Sequence, residues 1–410
     1  MTEFHDVVVV GAGLAGLICA RDLHRAGLDV VVLEDGDEVG GRIRTDRVDG
    51  LLLDRGFQLL NPGYPRAPAD LDLVALDLHP FEAGAVVARG DTRRVLADPR
   101  RSPRDSWATA TTTLGTLGQR LRLAAWVAEI GFGPAQRIKH RPDLPFIDEL
   151  RRRGIDGELV DSVLRPFLSG TLADGELATS RRLAELIMRS FVKGTPGVPA
   201  SGMQAIPEQV AAALPDGAVR CGQAVTSVRD GAVTTSDGTV TARAVVVAAG
   251  PVASAGLLGQ DFGRTRALTT YYHLAQMSPA ERTMLHLDGD RRGPVVNSAV
   301  MTDAAPTYAP GRALIASSVL GADGTAETER AVRRQLTHVY GVGTDAWEHV
   351  HTYVIRDALP DTPPGTPLQR PVRVAPGLFV SGDFRDTASI QGALVSGHRA
   401  AAAVRRDLGR

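Results

Sequence analysis

Three glycines near the start of the chain have the spacing of a phosphate-binding turn. Gly11, Gly13 and Gly16 follow a run of β-branched residues and precede a segment with helical spacing. In such a turn the first glycine permits the tight bend and the second lets the backbone approach a pyrophosphate, while the third lets helix and strand pack closely. Glu34 ends the next buried run, where its carboxylate would accept hydrogen bonds from a ribose. These residues predict a dinucleotide site.

A second glycine pair follows this acid and favours FAD over NAD. The segment Val39–Thr45 reads V-G-G-R-I-R-T and would bring another stretch of backbone onto the cofactor. Arg42 in this segment could neutralise a pyrophosphate through its planar guanidinium. Domains that bind only NAD lack such an element, so the sequence predicts FAD.

The order of these motifs resembles that of the flavin amine oxidase, protoporphyrinogen oxidase and phytoene desaturase superfamily, over essentially the whole chain. Asp54–Gln58 resembles the family segment that runs beside the flavin ring, and Gly202–Pro207 resembles the segment that returns to the FAD domain. Val225 stands in the strand that brackets the adenine. The resemblance implies that FAD is held by Gly11, Gly13, Leu14, Ala15, Gly16, Glu34, Asp35, Gly40, Gly41, Arg42, Gly56, Phe57, Gln58, Val225, Gly382, Asp383, Gln391, Gly392 and Ala393.

The end of the chain carries the second part of this resemblance. Gly382 and Asp383 would end a core strand, with Asp383 holding the ribityl chain, and a helix would begin at Gly392 and Ala393. Backbone N–H groups at a helix N-terminus stabilise negative charge, which a reduced flavin carries at its N1/O2 edge. Both ends of the chain are therefore expected to form one flavin site.

Two departures from the family argue against amine oxidation. Amine oxidases often have an aromatic ring where this chain has Ser389, and many use a lysine near flavin N5. The only lysines here, Lys139 and Lys193, lie outside the predicted strands of the substrate domain. No cysteine follows Cys221, so a covalent link to a C-terminal cysteine is excluded and non-covalent FAD is expected.

Four residues are candidates for substrate contact. His273 could be a base or a polar anchor, and strand alternation would place Tyr271 on the same face. Gln58 and Arg55 would lie near the flavin by their motif position, and Gln58 could hydrogen-bond the substrate. The alternative for His273 is a structural histidine, and for Gln58 and Arg55 it is packing within their own loop.

The predicted elements that must position these residues form strand-helix-strand units at both ends of the chain and in its middle. Strands are predicted at 6–10, 29–33, 224–228, 232–235, 240–248, 268–275, 295–301, 312–320, 350–356 and 378–381. Helices are predicted at 14–26, across much of 105–195, at 206–214 and from about 391 to 406. The helix around Trp126 could cover the substrate cavity or rest on a membrane, but ordinary core packing is the favoured alternative.

The predicted fold is α/β, with a doubly wound, Rossmann-like FAD domain that is discontinuous in sequence. Residues 1–75, 199–262 and 366–410 are assigned to this domain. Residues 76–198 and 263–365 are assigned to an inserted α+β substrate domain. A chain of 410 residues is long enough for both domains.

Composition excludes several other classes of protein. Hydrophobic residues make up 43 % and charged residues 23 % of the chain, and the net charge is −1, so neither disorder nor nucleic-acid binding is expected. No apolar run reaches the length of a membrane span, and no metal cluster or signal peptide is recognised. Two cysteines do not suggest a disulfide framework, so a cytoplasmic location is expected.

The sequence therefore predicts an FAD-dependent oxidoreductase that oxidises or desaturates a small to medium, largely apolar metabolite. The expected partners are this small molecule and an electron acceptor that the sequence does not identify. Alternatives are a flavin amine oxidase that produces peroxide, an isomerase that needs reduced FAD, and a non-catalytic FAD-binding module.

Overall fold

The computed structural model describes residues 3–98, 100–102 and 114–410. Its strands are Glu3–Val10 (β1), Val30–Leu33 (β2), Thr45–Val48 (β3), Leu51–Asp54 (β4), Leu78–Pro80 (β5), Gly84–Arg89 (β6), Thr92–Ala97 (β7), Gly197–Pro199 (β8), Val219–Arg220 (β9), Val225–Arg229 (β10), Ala232–Thr235 (β11), Gly238–Val247 (β12), Thr265–Ala275 (β13), Leu285–Asp288 (β14), Val295–Val300 (β15), Ala313–Leu320 (β16), Glu348–Pro360 (β17), Arg373–Ala375 (β18) and Leu378–Val380 (β19).

The α-helices of the described residues are Leu14–Arg25 (α1), Ala67–Asp70 (α2), Leu117–Phe132 (α3), Ala135–Lys139 (α4), Phe146–Arg152 (α5), Gly157–Leu159 (α6), Arg165–Leu172 (α7), Arg181–Lys193 (α8), Ala205–Ala211 (α9), Gly250–Leu258 (α10), Met301–Ala304 (α11), Ala326–Tyr340 (α12) and Ile390–Asp407 (α13). A π-helical turn, Val160–Leu164, joins α6 to α7. None of these helices is both long enough and apolar enough to cross a membrane.

The first sheet is built from distant parts of the chain. β1 pairs in parallel with β2 and with β12, and β12 pairs in parallel with β19. The valines of β1 are buried because α1 and α13 pack on one face of the sheet and α10 packs on the other. The fold is therefore the predicted α/β arrangement, and the carboxyl ends of its parallel strands meet at one edge.

The second sheet has the strand order β17-β13-β16-β15-β14-β6-β7. Its neighbours are antiparallel except for β14 and β6, which are parallel. One face, which we call the back face, is covered by α12 through Val332, Leu336 and Val339. The opposite face, the front face, is turned towards the first sheet. The first sheet thus combines strands from both ends of the chain and from its middle, and the front face of the second sheet lies opposite it.

Most predicted elements have close counterparts in the structure, and the differences have local causes. The predicted helical segment begins at residue 105, but residues 105–113 lie outside the described residues. Leu114 was assigned to the helix of Trp126, whereas α3 begins at Leu117 because Thr116 caps it with a reciprocal side-chain bond to Gln119. The elements that were not predicted include strands β6, β7 and β14 and helices α10 and α12. The domain boundaries given above stay a prediction.

A buried carboxylate connects three elements that surround the start of the first sheet. The Asp70 side chain is 2 % exposed. It accepts hydrogen bonds from Arg21 of α1 at 2.9 Å, from Arg66 at 2.8 Å and from His398 of α13 at 2.9 Å. Burial by itself would raise the pKa of Asp70, but these donors lower it below its ordinary value.

We predict that Asp70→Asn lowers the free energy of unfolding by about 3 kcal/mol, because the cations would lose their shared buried partner. The matched control is Asp148→Asn, whose exposed pair with Arg151 should contribute less than about 0.5 kcal/mol. Urea denaturation of the two variants and the wild type measures both values. Equal losses in the two variants would contradict the role given to Asp70.

Candidate functional site

A cavity of about 1350 Å³ extends from the carboxyl edge of the first sheet to the front face of the second sheet. Val10, Leu33 and Ala248 line it where three parallel strands end or have just ended. Ligands of doubly wound sheets bind at this edge, because the loops that follow the strands converge there. The remaining walls come from the front face and from helices α3, α7 and α8.

The three glycines of the first turn differ in the space around them, as their spacing predicts. Gly11 has φ +102°, and a Cβ there would lie 2.8 Å from the Ala248 carbonyl oxygen. A Cβ at Gly16 would overlap the Gly11 carbonyl oxygen. A Cβ at Gly13 would meet nothing within 4 Å, and Gly13 lines the cavity. Gly11 and Gly16 are thus required by the fold, whereas Gly13 leaves room for a ligand.

Glu34 lies where the ribose-binding acid is expected, directly after β2. Its carboxylate accepts hydrogen bonds from the backbone N–H of Ala12 at 2.6 Å and of Gly36 at 2.9 Å. These bonds fix the carboxylate at the edge of the cavity and leave it further acceptor positions. Val225 lines the same end of the cavity, as the bracket predicted for an adenine.

An ion pair joins the N-terminal and C-terminal motifs directly. Arg42 donates to the Asp383 carboxylate at 2.6 Å and to the Ala358 carbonyl oxygen at 2.8 Å. Asp383 is buried, and both residues line the cavity. Because both Arg42 bonds go to the protein, its contact with a pyrophosphate stays a prediction.

Asp54 is the first residue of the segment that resembles the flavin-ring loop. Its buried carboxyl group accepts hydrogen bonds from the hydroxyls of Thr45 at 2.6 Å and Tyr308 at 2.8 Å and from the N–H of Met203 at 3.0 Å. Burial raises the pKa of Asp54 to about 6 despite these donors. The Tyr272 hydroxyl donates to the Asp54 carbonyl oxygen at 3.0 Å, which ties this loop to β13.

Gln58 and Arg55 both line the cavity, and the side chains of both are bonded to other protein groups. The Gln58 amide nitrogen donates to the carbonyl oxygens of Arg42 at 2.6 Å and Arg55 at 3.0 Å. The Arg55 guanidinium pairs with Asp46 at 2.9 Å, and the Tyr353 hydroxyl donates to the same carboxylate. Of these bonds only that from Gln58 to Arg55 lies within the loop itself, and a substrate role for both residues stays a prediction.

The structure speaks against His273 and Tyr271 as catalytic residues. They share one face of β13, as alternation predicts, but it is the back face, and neither lines the cavity. His273 bonds to Glu329 at 3.0 Å, and burial lowers the pKa of His273 to about 4. The Tyr271 hydroxyl donates to the Asp323 carbonyl oxygen at 2.6 Å. The sequence gives the alternation but not which face α12 covers.

Ser389 has a structural role at the start of α13. Its hydroxyl accepts the N–H of Gly392 at 3.2 Å and so caps the helix. Of the three residues predicted at this helix, only Ala393 lines the cavity. Gln391 instead accepts the N–H of Arg66 at 2.9 Å, and a Cβ at Gly392 would overlap the Thr387 carbonyl oxygen. These two residues position the helix end.

Among the residues predicted to hold FAD, all except Gly16, Gln391 and Gly392 line the one cavity. We call the part of the cavity beside the front face and helices α3, α7 and α8 the substrate half, and the part beside the first sheet the cofactor half. The residues of the substrate half were largely missed by sequence reasoning. Thr270, Asn297 and Ser318 line it from three neighbouring strands of the front face. A polar residue inside a strand of Val, Ala and Ser was the available signal for Asn297.

Helix α3 covers one side of this half of the cavity. Leu123 and Val127 line the cavity, while Trp126 is buried and donates from its indole N–H to Glu185 at 3.3 Å. Leu117 and Leu121 on the same helix are exposed. Trp126 and Ile130 lie in a buried apolar cluster, so the helix also has the core packing that was favoured from the sequence.

Comparison with known proteins gives the family. Residues 14–405 match the family described as flavin containing amine oxidoreductase. The chain is 47 % identical to putrescine oxidase of Kocuria rosea over 74 residues, which is 18 % of this chain and 16 % of that protein. The aligned part thus spans less than a fifth of that relative.

Solved structures share the whole fold at low identity. A putative protoporphyrinogen oxidase from Exiguobacterium sp. 255-15 has a TM-score of 0.73 at 19 % identity, with 100 % of both chains covered. Putrescine oxidase bound to putrescine has a TM-score of 0.75 at 19 % identity, again with 100 % of both chains covered. At this identity the likeness concerns the fold.

The family match over nearly the entire chain confirms the predicted oxidoreductase class and the predicted flavin cofactor, FAD. Most residues of the predicted cofactor motifs line one cavity. The family match shows that this protein belongs to the flavin-containing amine oxidoreductase family.

Proposed function

We propose that this FAD-dependent oxidoreductase oxidises or desaturates a small to medium, largely apolar metabolite, with the bound flavin accepting hydride at N5. The observation that carries the proposal is the apolar lining of the substrate half of the cavity. This half is lined by Phe81, Leu123, Phe167, Met188, Phe191 and Leu268. Such walls exclude water and orient an apolar substrate, which are the two tasks left to the protein when the cofactor supplies the chemistry.

The charges around this half of the cavity argue against a cationic substrate, and three arginines are also among the residues that line this half. Of the described lining residues, the carboxylates on this side are Glu82 and Asp98. Glu82 pairs with Arg282 at 3.2 Å and Asp98 pairs with Arg100 at 2.9 Å. A protonated amine would have to compete with these arginines for its counter-charge.

The residues that could move a proton in this half are few. No histidine or lysine is among the described residues that line the cavity. Lys139 ends α4 and Lys193 ends α8, and the Lys193 ammonium lies 5.4 Å from the ring centre of Phe132. This supports a reaction in which orientation and exclusion of water matter more than a strong base.

Amine oxidation is the second candidate, and the comparisons favour it. The family description refers to amines, and two of the three relatives described above are putrescine oxidases. The paired carboxylates and the capping role of Ser389 favour the neutral substrate instead. Desaturation of a carbon skeleton therefore remains our first proposal.

We further propose that the flavin cofactor is held non-covalently by the cavity-lining residues of both terminal motifs. Gly13 leaves space where a pyrophosphate would approach, and Glu34 offers acceptors to a ribose. Asp383, fixed by Arg42, would hold the ribityl chain. The positive end of the α13 dipole would stabilise the ring edge that becomes negative.

The two glycines of the first turn give a test of this cradle. Gly13→Val should lower bound flavin to below about one tenth of the wild-type content while the protein still folds, because its side chain enters the ligand space. Gly16→Val should not fold, because its side chain overlaps backbone. Visible absorbance of flavin released by denaturation gives the flavin content.

Gly343→Val is the matched control, since Gly343 is exposed, has nothing within 4 Å of its Cβ position and does not line the cavity. It should retain full flavin. A Gly13→Val protein with one flavin per chain would show that the pyrophosphate position is wrong.

Anaerobic reduction distinguishes the two candidate functions. The FAD-loaded protein is mixed without oxygen with neutral terpenoid alcohols and cyclic ketones, and separately with their amine analogues and putrescine. We expect bleaching of the flavin by members of the neutral panel because the lining is apolar and its carboxylates are paired. Bleaching by amines alone would replace our proposal with amine oxidation.

A further inference from the structure

We propose that Asn297 anchors a neutral polar group of the substrate, such as a hydroxyl or carbonyl, within the apolar cavity. The inference rests on the proposed function and adds to it a binding subsite. Asn297 is 4 % exposed and lines the cavity. Its Oδ1 atom is buried and has no hydrogen-bond partner among the described residues. Buried polar atoms of proteins are nearly always paired, so an unpaired amide oxygen in a residue that lines a cavity points to a partner outside the described protein atoms.

An irregularity in β15 turns this side chain towards the cavity. Val295 pairs with Val319 and Asn297 pairs with Ser318, so two steps along β15 correspond to one step along β16. Without this bulge Asn297 would face the same way as Val295, which packs in the back-face cluster with α12. With the bulge, Asn297 faces the cavity and Ser298 faces the back. Bulges re-aim side chains in this way beside binding sites.

Helix α7 is shaped to accept the amide. A Cβ on Gly170 would overlap the Asn297 amide nitrogen, so the helix lies directly against this side chain in its present position. Gly170 also lines the cavity, and the π-helical turn Val160–Leu164 directly precedes this helix. Such turns shift the positions of the residues that follow them and occur often at functional sites.

Asn297 is the outer member of a polar row across the front face. Thr270 pairs with Ser318 and Ser318 pairs with Asn297, and all three line the cavity. The Thr270 hydroxyl accepts the N–H of Phe57 at 3.1 Å, in the loop that resembles the flavin-ring segment. Neighbouring strands lie about 4.8 Å apart, which places Asn297 about 10 Å from Thr270 along the row.

The chemistry of the row selects a neutral partner. An amide both donates and accepts hydrogen bonds, whereas a buried ionic group would need a counter-charge. The neighbours that the structure gives to Asn297 are Ser318 and Gly170, which carry none. The substrate class is therefore an apolar molecule with one hydroxyl or carbonyl group at the end that reaches this row.

Paired probes test the subsite in the FAD-loaded protein. Octan-1-ol and nonane are unbranched chains with the same number of non-hydrogen atoms, and the terminal hydroxyl of the alcohol replaces a methyl group of the alkane. Their dissociation constants can be measured by perturbation of the flavin spectrum. We expect Asn297→Leu to lower the ratio of the nonane constant to the octan-1-ol constant by about tenfold, because the hydroxyl loses its partner. Asn297→Ala, which relieves any crowding against Gly170, should lower the ratio in the same way.

Ser298→Ala is the control on the opposite face of the same strand, where the Ser298 hydroxyl bonds to Tyr340 at 2.9 Å. It should leave the ratio unchanged. A ratio that stays within about twofold of the wild type in both Asn297 variants would overturn the subsite alone. If neither probe binds the wild type, the proposal of an apolar substrate fails together with the subsite.

Discussion

The buried carboxyl group of Asp54 receives hydrogen bonds from three separate parts of the chain, and the geometry of the cavity depends on it. Its donors are Thr45 of β3, the backbone of Met203 and the hydroxyl of Tyr308. A carboxyl group without these donors could not be buried at acceptable cost, so the three segments must converge there. Because Tyr272 also bonds to the Asp54 carbonyl oxygen, the loop that follows β4 is held against the second sheet. The flavin-side motifs and the front face are thereby fixed relative to each other.

The pairing of polar groups inside the protein can be compared between the two halves of the cavity. In the cofactor half, Glu34 and Arg42 are already held by protein partners and still border open space. In the substrate half, the carboxylates are paired with arginines and most of the wall is apolar. Asn297 differs from these groups, since its buried Oδ1 atom has no partner among the described residues. Family membership gives the class of reaction, and this distribution of paired and unpaired groups is what points to the class of substrate.

The cofactor half could be predicted from the sequence because its signals are short and local. The spacing of Gly11, Gly13 and Gly16 is a property of one turn, and the structure gives each glycine the surroundings that its position requires. The front face depends instead on pairings between distant segments. His273 was a candidate from the sequence, but in the structure α12 covers the face of β13 on which His273 lies. Asn297 stands out in the sequence as a polar residue of its strand, but its direction could not be predicted, because it depends on a bulge between β15 and β16.

The first sheet is assembled from segments that are synthesised at very different times. β1 leaves the ribosome early, its neighbour β12 is complete only at Val247, and β19 follows at Leu378–Val380. A nascent chain that has released only the glycine turn has neither the partner strand of β1 nor the Asp383 carboxylate that pairs with Arg42. Parallel pairing of this kind has a high contact order and forms slowly. We therefore expect the flavin to bind only after the C-terminal strand and helix have been synthesised, although the glycine turn is made first.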